Sequence, residues 1–201
     1  MEALLRDFGP LVALTDAAYI DPSASIHGRV TAAEGASIWP HVSIRAENFE
    51  VVIGAYSNIQ DFAMLHVGAT AGVRIGRHCS ITHRCTIHGA TIGDNCLIGI
   101  NSTVMDGATV GDNCLIGAHT LIRENQVIPA NSVAFGVPAK VTKRRNNYAQ
   151  CRLNAFFYHQ NGLAYAAGNQ RRWDEPEFMK LAAEAMQRFQ AEAAEMAPAT
   201  E

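Results

Sequence analysis

The hexapeptides IGDNCL at residues 92–97 and VGDNCL at residues 110–115 are nearly identical and begin 18 residues apart. Around them, an aliphatic residue recurs at intervals of six, followed by glycine or a small polar residue. A period of six fits neither an amphipathic helix, which repeats every three or four residues, nor a simple strand, which repeats every two. The aliphatic positions of this register, which is interrupted in places and slips once by one residue, are Ile20, Ile26, Ile38, Ile44, Ile53, Ile59, Leu65, Ile75, Ile81, Ile87, Ile92, Ile98, Val104, Val110, Ile116, Ile122 and Ile128.

The repeat predicts an all-β fold, a single-stranded parallel β-helix. Three hexapeptides make one triangular coil, and each aliphatic side chain points inward and stacks on its counterparts about 4.8 Å above and below. In the Gly-Asp-Asn turns we expect glycine to accept a positive φ and Asp or Asn to bond the local backbone. Gaps in the register predict loops at residues 68–72 and around residues 47–50.

The repeat ends near residues 136–140, and helices are predicted beyond it at residues 148–167 and 175–194. We therefore predict a β-helix with the functional site over residues 1–145. A helical segment over residues 146–201 is expected to pack on the coil or on a neighbouring subunit. Four of the five cysteines share one position of the repeat, which indicates small buried side chains rather than disulfides.

The composition excludes several classes of protein. Apolar residues make up 48% of the chain and charged residues 17%, so the chain is expected to fold. A net charge of −3 gives no electrostatic reason to expect a nucleic-acid partner. The apolar runs fall short of the roughly 20 residues that a membrane span needs, and residues 1–7 do not resemble a signal peptide. A cytoplasmic protein is the expectation.

Three of the eight histidines are related by the predicted coil. His66 and His88 each follow the third inward residue of consecutive coils, so they should lie on one face about 5 Å apart. His83 falls on the next face and is not expected to reach them within one chain. In a trimer with three-fold symmetry, the His83 face of one subunit would meet the His66 and His88 face of the next. Three histidines with an open fourth position are typical of a catalytic zinc site.

The motifs around these histidines carry a family resemblance. The runs NIQD at residues 58–61, THRC at residues 82–85 and IHG at residues 87–89 resemble the signature of the γ-class carbonic anhydrases. The likeness covers roughly residues 10–145 and includes further runs at residues 92–99, 105–107 and 136–140. It implies a homotrimer of left-handed β-helices that holds zinc, or iron or cobalt, at each subunit interface. The ligands that match by motif are His66, His83 and His88.

The resemblance also implies roles for polar residues near the histidines. Arg45 and Glu47 stand at the family's Arg-x-Asp pair, where Glu47 is one methylene longer than the usual Asp. Gln60 and Asp61 stand at its Gln-Asp pair. The resemblance implies an ion pair between Arg45 and Asp61 across the subunit seam, with Gln60 holding the metal-bound water or bicarbonate. Asn58 is expected to support the same network.

Other positions depart from the family. Thr82 stands where a glycine commonly precedes the second histidine, and the loop at residues 68–72 has no counterpart of the proton-shuttling Glu. The run NGLAY at residues 161–165 faintly resembles a helical Asn-x-x-x-Tyr segment whose tyrosine approaches the site. This likeness makes Tyr165 a candidate site residue.

The implied activity is the reversible hydration of CO2 to bicarbonate by metal-bound hydroxide, a lyase reaction that a poor proton path would slow. Three imidazoles also suit several other divalent metals. One alternative is a metal-dependent acyl-CoA thioesterase on the same site. A second is a CoA-dependent hexapeptide acyltransferase, in which a histidine acts as general base without metal. A third is a trimeric scaffold with a structural metal.

Overall fold

The computed structural model describes residues 8–196, and short β-strands fill it from residue 12 to residue 144. Residues 1–7 and 197–201, which the two predicted domains include, lie outside the described part of the chain. The strands in chain order are β1 Val12–Ala13, β2 Tyr19–Ile20, β3 Ser25–Ala32, β4 Ser37–Ile38, β5 Ser43–Ile53, β6 Asn58–Ile59, β7 Met64–His66, β8 Val73–Ile75, β9 Ser80–Ile81, β10 Thr86–His88, β11 Thr91–Ile92, β12 Leu97–Ile98, β13 Thr103–Val104, β14 Thr109–Val110, β15 Leu115–Ile116, β16 Leu121–Ile122, β17 Val127–Ile128, β18 Ser132–Phe135 and β19 Lys140–Arg144.

The strands stack into the predicted parallel coil. β11, β14 and β17 pair in register, with Ile92 beside Val110 and Val110 beside Ile128. One sheet has the order β16-β13-β10-β7-β5-β8-β11-β14-β17, and the other has the order β19-β18-β15-β12-β9-β6-β4-β2. Because the two halves of β5 pair separately with β7 and β8, the first sheet covers two faces of the coil and the second covers the third. The predicted β-helix is confirmed.

A column of aliphatic side chains fills the coil. All the predicted inward residues from Ile26 to Ile128 are buried, and Ile20 packs against the same core while partly exposed. Cys79, Cys85, Cys96 and Cys114 are also buried and free, as the repeat predicted. Full burial of one such aliphatic side chain contributes about 1.5 to 3 kcal/mol, so the column makes the coil a rigid platform for the residues on its faces.

The turns use asparagine where glycine was expected to adopt positive φ. In the two Gly-Asp-Asn turns the left-handed residues are Asn95, with φ 56°, and Asn113, with φ 55°. Gly93 is needed for a different reason, because a Cβ there would lie 2.3 Å from an Oδ1 of Asp112 in the next coil. The expectation for glycine is therefore wrong in these turns, and asparagine, which tolerates the left-handed region, takes that position.

One predicted loop leaves the coil, and the other is a bulge within a strand. Residues 68–72 leave the coil between β7 and β8. Residues 47–50 are part of β5, which spans Ser43–Ile53, but β3 pairs only with residues 43–46 and 51–53, so residues 47–50 bulge out between the two paired stretches. The register of that pairing shifts between Gly28 and Val30. The extra residues are thus taken up as an irregularity within the sheet.

The two helices follow the coil. The parallel ladder ends at β18, on which β19 folds back in antiparallel pairing. The helices are α1 at Tyr148–Ala166 and α2 at Pro176–Glu195, separated by a 3-10 turn at Arg172–Asp174. α1 lies on β2, β4, β6 and β9, and α2 packs chiefly against α1 rather than on the coil. The boundary predicted between residues 145 and 146 falls between β19 and α1. Neither helix is long and apolar enough to cross a membrane.

Candidate metal centre

Two of the three predicted metal ligands lie together on one face of the coil. β7 pairs with β10, and this register sets His66 directly beside His88. Nδ1 of His66 and Nε2 of His88 are 3.0 Å apart, and the ring centroids are 5.0 Å apart. The stacking expected from the coil register is present, so two imidazole nitrogens converge on one point.

The outer nitrogens of these two rings are each held by a carboxylate. Glu47 Oε2 lies 3.2 Å from Nε2 of His66, and Asp106 Oδ2 lies 2.7 Å from Nδ1 of His88. Arg45, beside His66 on β5, forms an ion pair with Glu47. Desolvation acts to raise the pKa of Glu47, but a backbone hydrogen bond and the charges of Arg45 and His66 hold it below its ordinary value. An ionised carboxylate there accepts the ring proton, which leaves the inner nitrogen with a lone pair.

Asp106 occupies a pocket made of glycine backbone. A Cβ at Gly68 would lie 1.8 Å from Oδ1 of Asp106, and a Cβ at Gly89 would lie 2.5 Å from the same atom. A Cβ at either glycine would therefore displace the carboxylate from its position beside His88. No role for Asp106 was predicted from the sequence, although it lies 18 residues, one full coil, after His88. That spacing is the signal that would have identified it.

His83 lies apart from the other two histidines, as predicted. It follows β9, in the second sheet, and its Nδ1 is 3.0 Å from Oδ2 of Asp61. Its Nε2 is 3.3 Å from the hydroxyl of Tyr158 on α1. Across residues 8–196, no three His, Cys, Asp or Glu side chains are grouped so that they could hold a metal ion within one chain. A site of three histidines therefore needs a second copy of the chain.

An aromatic cluster lies between the coil and α1, next to His83. Trp39 packs edge-on against Tyr158 and Tyr165, with ring centroids 5.4 Å and 5.0 Å away. Burial, with a smaller effect from the nearby Asp61, raises the pKa of Tyr158 to about 12. The hydroxyl beside His83 therefore keeps its proton at neutral pH. Tyr158 lies on α1, outside the repeat, so the period of the coil carries no signal for its contact with His83.

Two buried amides form a fixed network beside Asp61. Nε2 of Gln60 donates to Oδ1 of Asn58 at 2.9 Å, and Nδ2 of Asn58 donates to Oγ of Ser80 at 3.0 Å and to the carbonyl of Cys79 at 3.2 Å. Gln60 and Asn58 are each 1% exposed. A satisfied buried network of this kind fixes the orientation of the Gln60 carboxamide.

Comparison with known proteins identifies the family of the chain. Residues 89–124 match the family model for the bacterial transferase hexapeptide (six repeats), and residues 72–104 match that for the hexapeptide repeat of succinyl-transferase. The chain is 47% identical over 124 residues to a protein of Methanocaldococcus jannaschii named "Probable carbonic anhydrase", covering 62% of this chain and 78% of the relative. The chain belongs to the γ-carbonic anhydrase-like family of hexapeptide-repeat proteins. Another member, the mitochondrial γ carbonic anhydrase 1 of Arabidopsis thaliana, is 31% identical over 172 residues, which are 82% of this chain and 62% of the relative.

Solved structures with this coil include transferases as well. A hexapeptide transferase family protein from Anaplasma phagocytophilum superposes with a TM-score of 0.69 and 27% identity, covering 78% of this chain and 92% of that one. The γ-carbonic anhydrase-like family thus shares its scaffold with enzymes of another class. The residues on the coil must therefore decide the chemistry.

Within the single chain, the remaining family-implied residues have the following partners. Arg45 pairs with Glu47, and Asp61 pairs with His83. The Arg45–Asp61 ion pair between subunits stays a prediction. Tyr165 packs edge-on against Tyr19 as well as Trp39, and its role in a γ-carbonic anhydrase-like site also stays a prediction.

Proposed function

We propose that this chain is a metalloenzyme of the carbonic anhydrase type, which hydrates CO2 reversibly to bicarbonate and acts as a homotrimer. In this proposal His66 and His88 of one subunit and His83 of the next hold the metal. Zinc is the first choice, and iron and cobalt are the alternatives. The names of the relatives support the activity, and the arrangement of the three imidazoles supports the metal.

One observation carries the proposal: each of the three imidazoles has one nitrogen held by a carboxylate. Glu47, Asp61 and Asp106 each accept from a different histidine, at 3.2, 3.0 and 2.7 Å. A carboxylate on the outer nitrogen fixes the tautomer and the ring orientation of a metal-ligating histidine. Three separate dyads of this kind, at the three motif positions, are the pattern expected of metal ligands and not of solvated surface histidines.

The contact between His66 and His88 supports a cation at that point. With the protons on the outer nitrogens, two lone pairs face each other across 3.0 Å. Such a contact is repulsive unless a proton or a metal ion lies between the nitrogens. Three neutral imidazoles with an open position suit a divalent ion such as zinc. The donor set therefore fits the metal that the family implies.

In this proposal the chain positions hydrogen-bond donors around the substrate, and the ion makes a bound water more acidic. A divalent ion in such a site lowers the pKa of a coordinated water to about 7. In the single chain the hydroxyl of Tyr158 lies 3.3 Å from Nε2 of His83 and can donate to it. Once that nitrogen held an ion, the hydroxyl would be released to donate a hydrogen bond to a substrate oxygen. Gln60 presents a carboxamide whose orientation Asn58 fixes. Both groups are placed before any substrate arrives, which lowers the cost of ordering them.

Proton release is expected to depend on the buffer. The loop at residues 68–72 has the sequence GATAG and carries no titratable side chain. A proton that leaves the site near this loop must then pass to water or to a buffer molecule. The steady-state rate should therefore rise with buffer concentration at constant pH.

Elemental analysis combined with a stopped-flow CO2 assay tests the proposal. The protein is purified without added metal, and each of His66, His83 and His88 is replaced by Asn in turn. We expect about one metal ion per chain in the wild type and a fall in hydration rate of at least about 100-fold in each variant, since loss of an outer-shell partner alone costs about 10 to 100-fold.

The matched control is His119→Asn, which removes an exposed histidine from a turn with φ 57° that asparagine tolerates. This variant should keep the metal and the rate of the wild type. Wild-type protein that carries metal but hydrates CO2 no faster than buffer would rule out the activity. Protein that binds no zinc, iron or cobalt would rule out the metal site.

The acyltransferase alternative rests on the transferase that shares this coil. It predicts acyl transfer from an acyl-CoA that survives complete removal of metal by a chelator, whereas the carbonic anhydrase and thioesterase activities should both be lost. The three carboxylate–histidine dyads favour the metal-dependent reactions, and release of thiol from a panel of acyl-CoAs separates the thioesterase from the anhydrase. A cytoplasmic location is part of the proposal.

A further inference from the structure

An open cavity of about 280 Å³ lies between the coil and the two helices, and no residue of the three histidine dyads lines it. Aromatic rings from three elements line it: Tyr56 from a turn of the coil, Phe156 from α1 and Phe189 from α2. The rings of Phe156 and Phe189 meet edge to face with centroids 6.1 Å apart. Since ligand cavities are mostly apolar with a few polar groups at fixed points, this lining is suited to a flat organic ligand.

Two arginines provide the charge of the cavity. The guanidinium carbons of Arg152 and Arg188 lie 5.3 Å and 4.8 Å from the centroid of the Phe189 ring. Arg188 has Glu192 at 3.8 Å, whereas Arg152 has no carboxylate within 4.0 Å among residues 8–196. Nε of Arg152 is also buried without a hydrogen-bond partner. The rest of the guanidinium is partly exposed where it lines the cavity and lies near the side chain of Tyr148. A bound anion would supply the carboxylate or phosphate partner that Arg152 lacks.

The histidines of the cavity extend its aromatic surface. The His78 ring stacks on Tyr56 with centroids 5.1 Å apart and an interplanar angle of 11°, and His159 meets the edge of Tyr56 at 5.0 Å. Burial lowers the pKa of His78 to about 4, and the nearby charges of Arg152 and Arg77 add to this effect. His78 is therefore neutral at pH 7. The positive charge of the cavity is concentrated on the two arginines.

We propose that this cavity is a binding site for a small aromatic anion, a planar ring that carries one carboxylate or phosphate group directly or through a sugar. The ring lies among the aromatic side chains, where stacked and edge-to-face contacts are available. The anionic group meets the guanidinium of Arg152, which can bind a carboxylate or a phosphate through two parallel hydrogen bonds. This site is separate from the metal centre and does not depend on the carbonic anhydrase proposal.

Calorimetric titration of the full-length protein with four probes tests the site. The anions are benzoate and adenosine 5′-monophosphate, and their uncharged partners are benzamide and adenosine. We expect at least one anion to bind with a Kd of about 1 mM or tighter and its uncharged partner to bind at least 10-fold more weakly. Preference for benzoate identifies a carboxylate ligand, and preference for the nucleotide identifies a phosphate ligand.

Variants test whether the cavity is the place of binding. Arg152→Met should weaken the binding of the preferred anion by at least 10-fold, and Arg188→Met should weaken it less because Glu192 already offsets its charge. The control is Arg123→Met, which removes an exposed arginine from the coil. It should bind the anion as the wild type does. Unfolding midpoints of the three variants show whether each is folded. If Arg152→Met is unstable, weaker binding of the anion to Arg188→Met is the test of binding in the cavity.

Three results would overturn the proposal. The first is that neither anion binds with a Kd of about 1 mM or tighter. The second is that inorganic phosphate binds as tightly as the nucleotide, since the aromatic lining would then contribute nothing. The third is that folded Arg152→Met and Arg188→Met both bind the preferred anion like the wild type.

Discussion

At the level of single residues, the carboxylates around the histidines differ in how firmly they are held. Asp106 makes the shortest of the three contacts, 2.7 Å, and glycine backbone confines it. Glu47 is more than half exposed, with 54% of its side chain accessible, and it also forms an ion pair with Arg45. Removal of Asp106 should therefore have a larger effect on the proposed metal site than removal of Glu47.

Asp106→Asn keeps the shape of the side chain but removes the charge that holds the proton on Nδ1 of His88. We expect metal affinity to fall by about 10 to 100-fold, as for the loss of other outer-shell partners. Competition with a chromogenic chelator measures the affinity. Asp16→Asn, at an exposed turn position with φ 56°, should leave it unchanged. Equal metal affinities for Asp106→Asn and the wild type would show that Asp106 does not support metal binding.

His78 makes the stability of the fold dependent on pH. Its pKa is about 4 in the folded chain, against about 6.5 in an unfolded one. Below pH 6.5 the unfolded chain binds a proton on His78 more readily than the folded chain does. The contribution of His78 to the free energy of unfolding is therefore fully present above pH 6.5 and is lost as the pH falls towards 4. The loss should be about 1 kcal/mol, less than the full shift implies because the ring is partly exposed.

Urea unfolding of metal-free protein at pH 7 and pH 4.5 measures this effect. His78→Asn, at a position with φ 55° that asparagine tolerates, should lose less stability between the two pH values than the wild type. His119→Asn should lose as much as the wild type does. If His78→Asn shows the same fall in unfolding free energy as the wild type, the ring is not held neutral in the folded state.

At the level of the strands, stability should depend on whether a side chain enters the central column. Ile98 is fully buried on β12, whereas Ile100, two residues later in the turn, is 44% exposed. Ile98→Ala removes methyl groups from a packed column and leaves a cavity, which costs about 2 to 5 kcal/mol. Ile100→Ala should cost less than about 1 kcal/mol. Denaturant unfolding of the two variants provides the comparison, and equal losses would contradict the role of the column.

Much of the strand structure could be predicted from the sequence, because one repeating constraint decides it. An inward aliphatic residue at every sixth position sets both the strand and its register. This register alone predicted that His66 and His88 lie side by side. Finer features depend on contacts between coils, which the period does not encode. Asn95 rather than Gly93 takes the positive φ, since Gly93 is needed to make room for the next coil.

Two contacts of the site could not be predicted because they depend on departures from the repeat. Glu47 reaches His66 from an irregular stretch of β5 that the gap in the register suggested would be a loop. Tyr158 reaches His83 from α1, whose packing on the coil is a tertiary property. Asp106, by contrast, obeys the 18-residue period that relates neighbouring coils.

For the whole molecule, mixing two inactive variants tests whether the proposed site lies between subunits. A chain with His66→Asn and a chain with His83→Asn each lack one ligand in every site of their own trimers. In mixed trimers, a subunit with His66 intact can meet one with His83 intact. With random assembly at equal amounts, about a quarter of the sites regain all three histidines. We expect the co-refolded mixture to show that share of wild-type metal content and CO2 hydration, and each parent to show almost none.

A mixture as inactive as its parents would show that subunits do not share the site. The control mixes His66→Asn with His88→Asn, whose substitutions fall on the same face of the coil. No pairing of these two chains brings three intact histidines together, because His66 and His88 must come from one subunit. Activity in this control would contradict the assignment of ligands to faces.

The strand β19 covers one end of the coil and so limits end-to-end stacking. A parallel coil ends in an open row of backbone donors and acceptors, and such an edge readily templates another strand and grows into fibrils. At this end β19 covers part of that row in antiparallel pairing and exposes Lys140, Lys143 and Arg144. A reversed strand with repelling charges is a poor template for end-to-end stacking. The fold thus includes its own protection against aggregation at the end where the repeat stops.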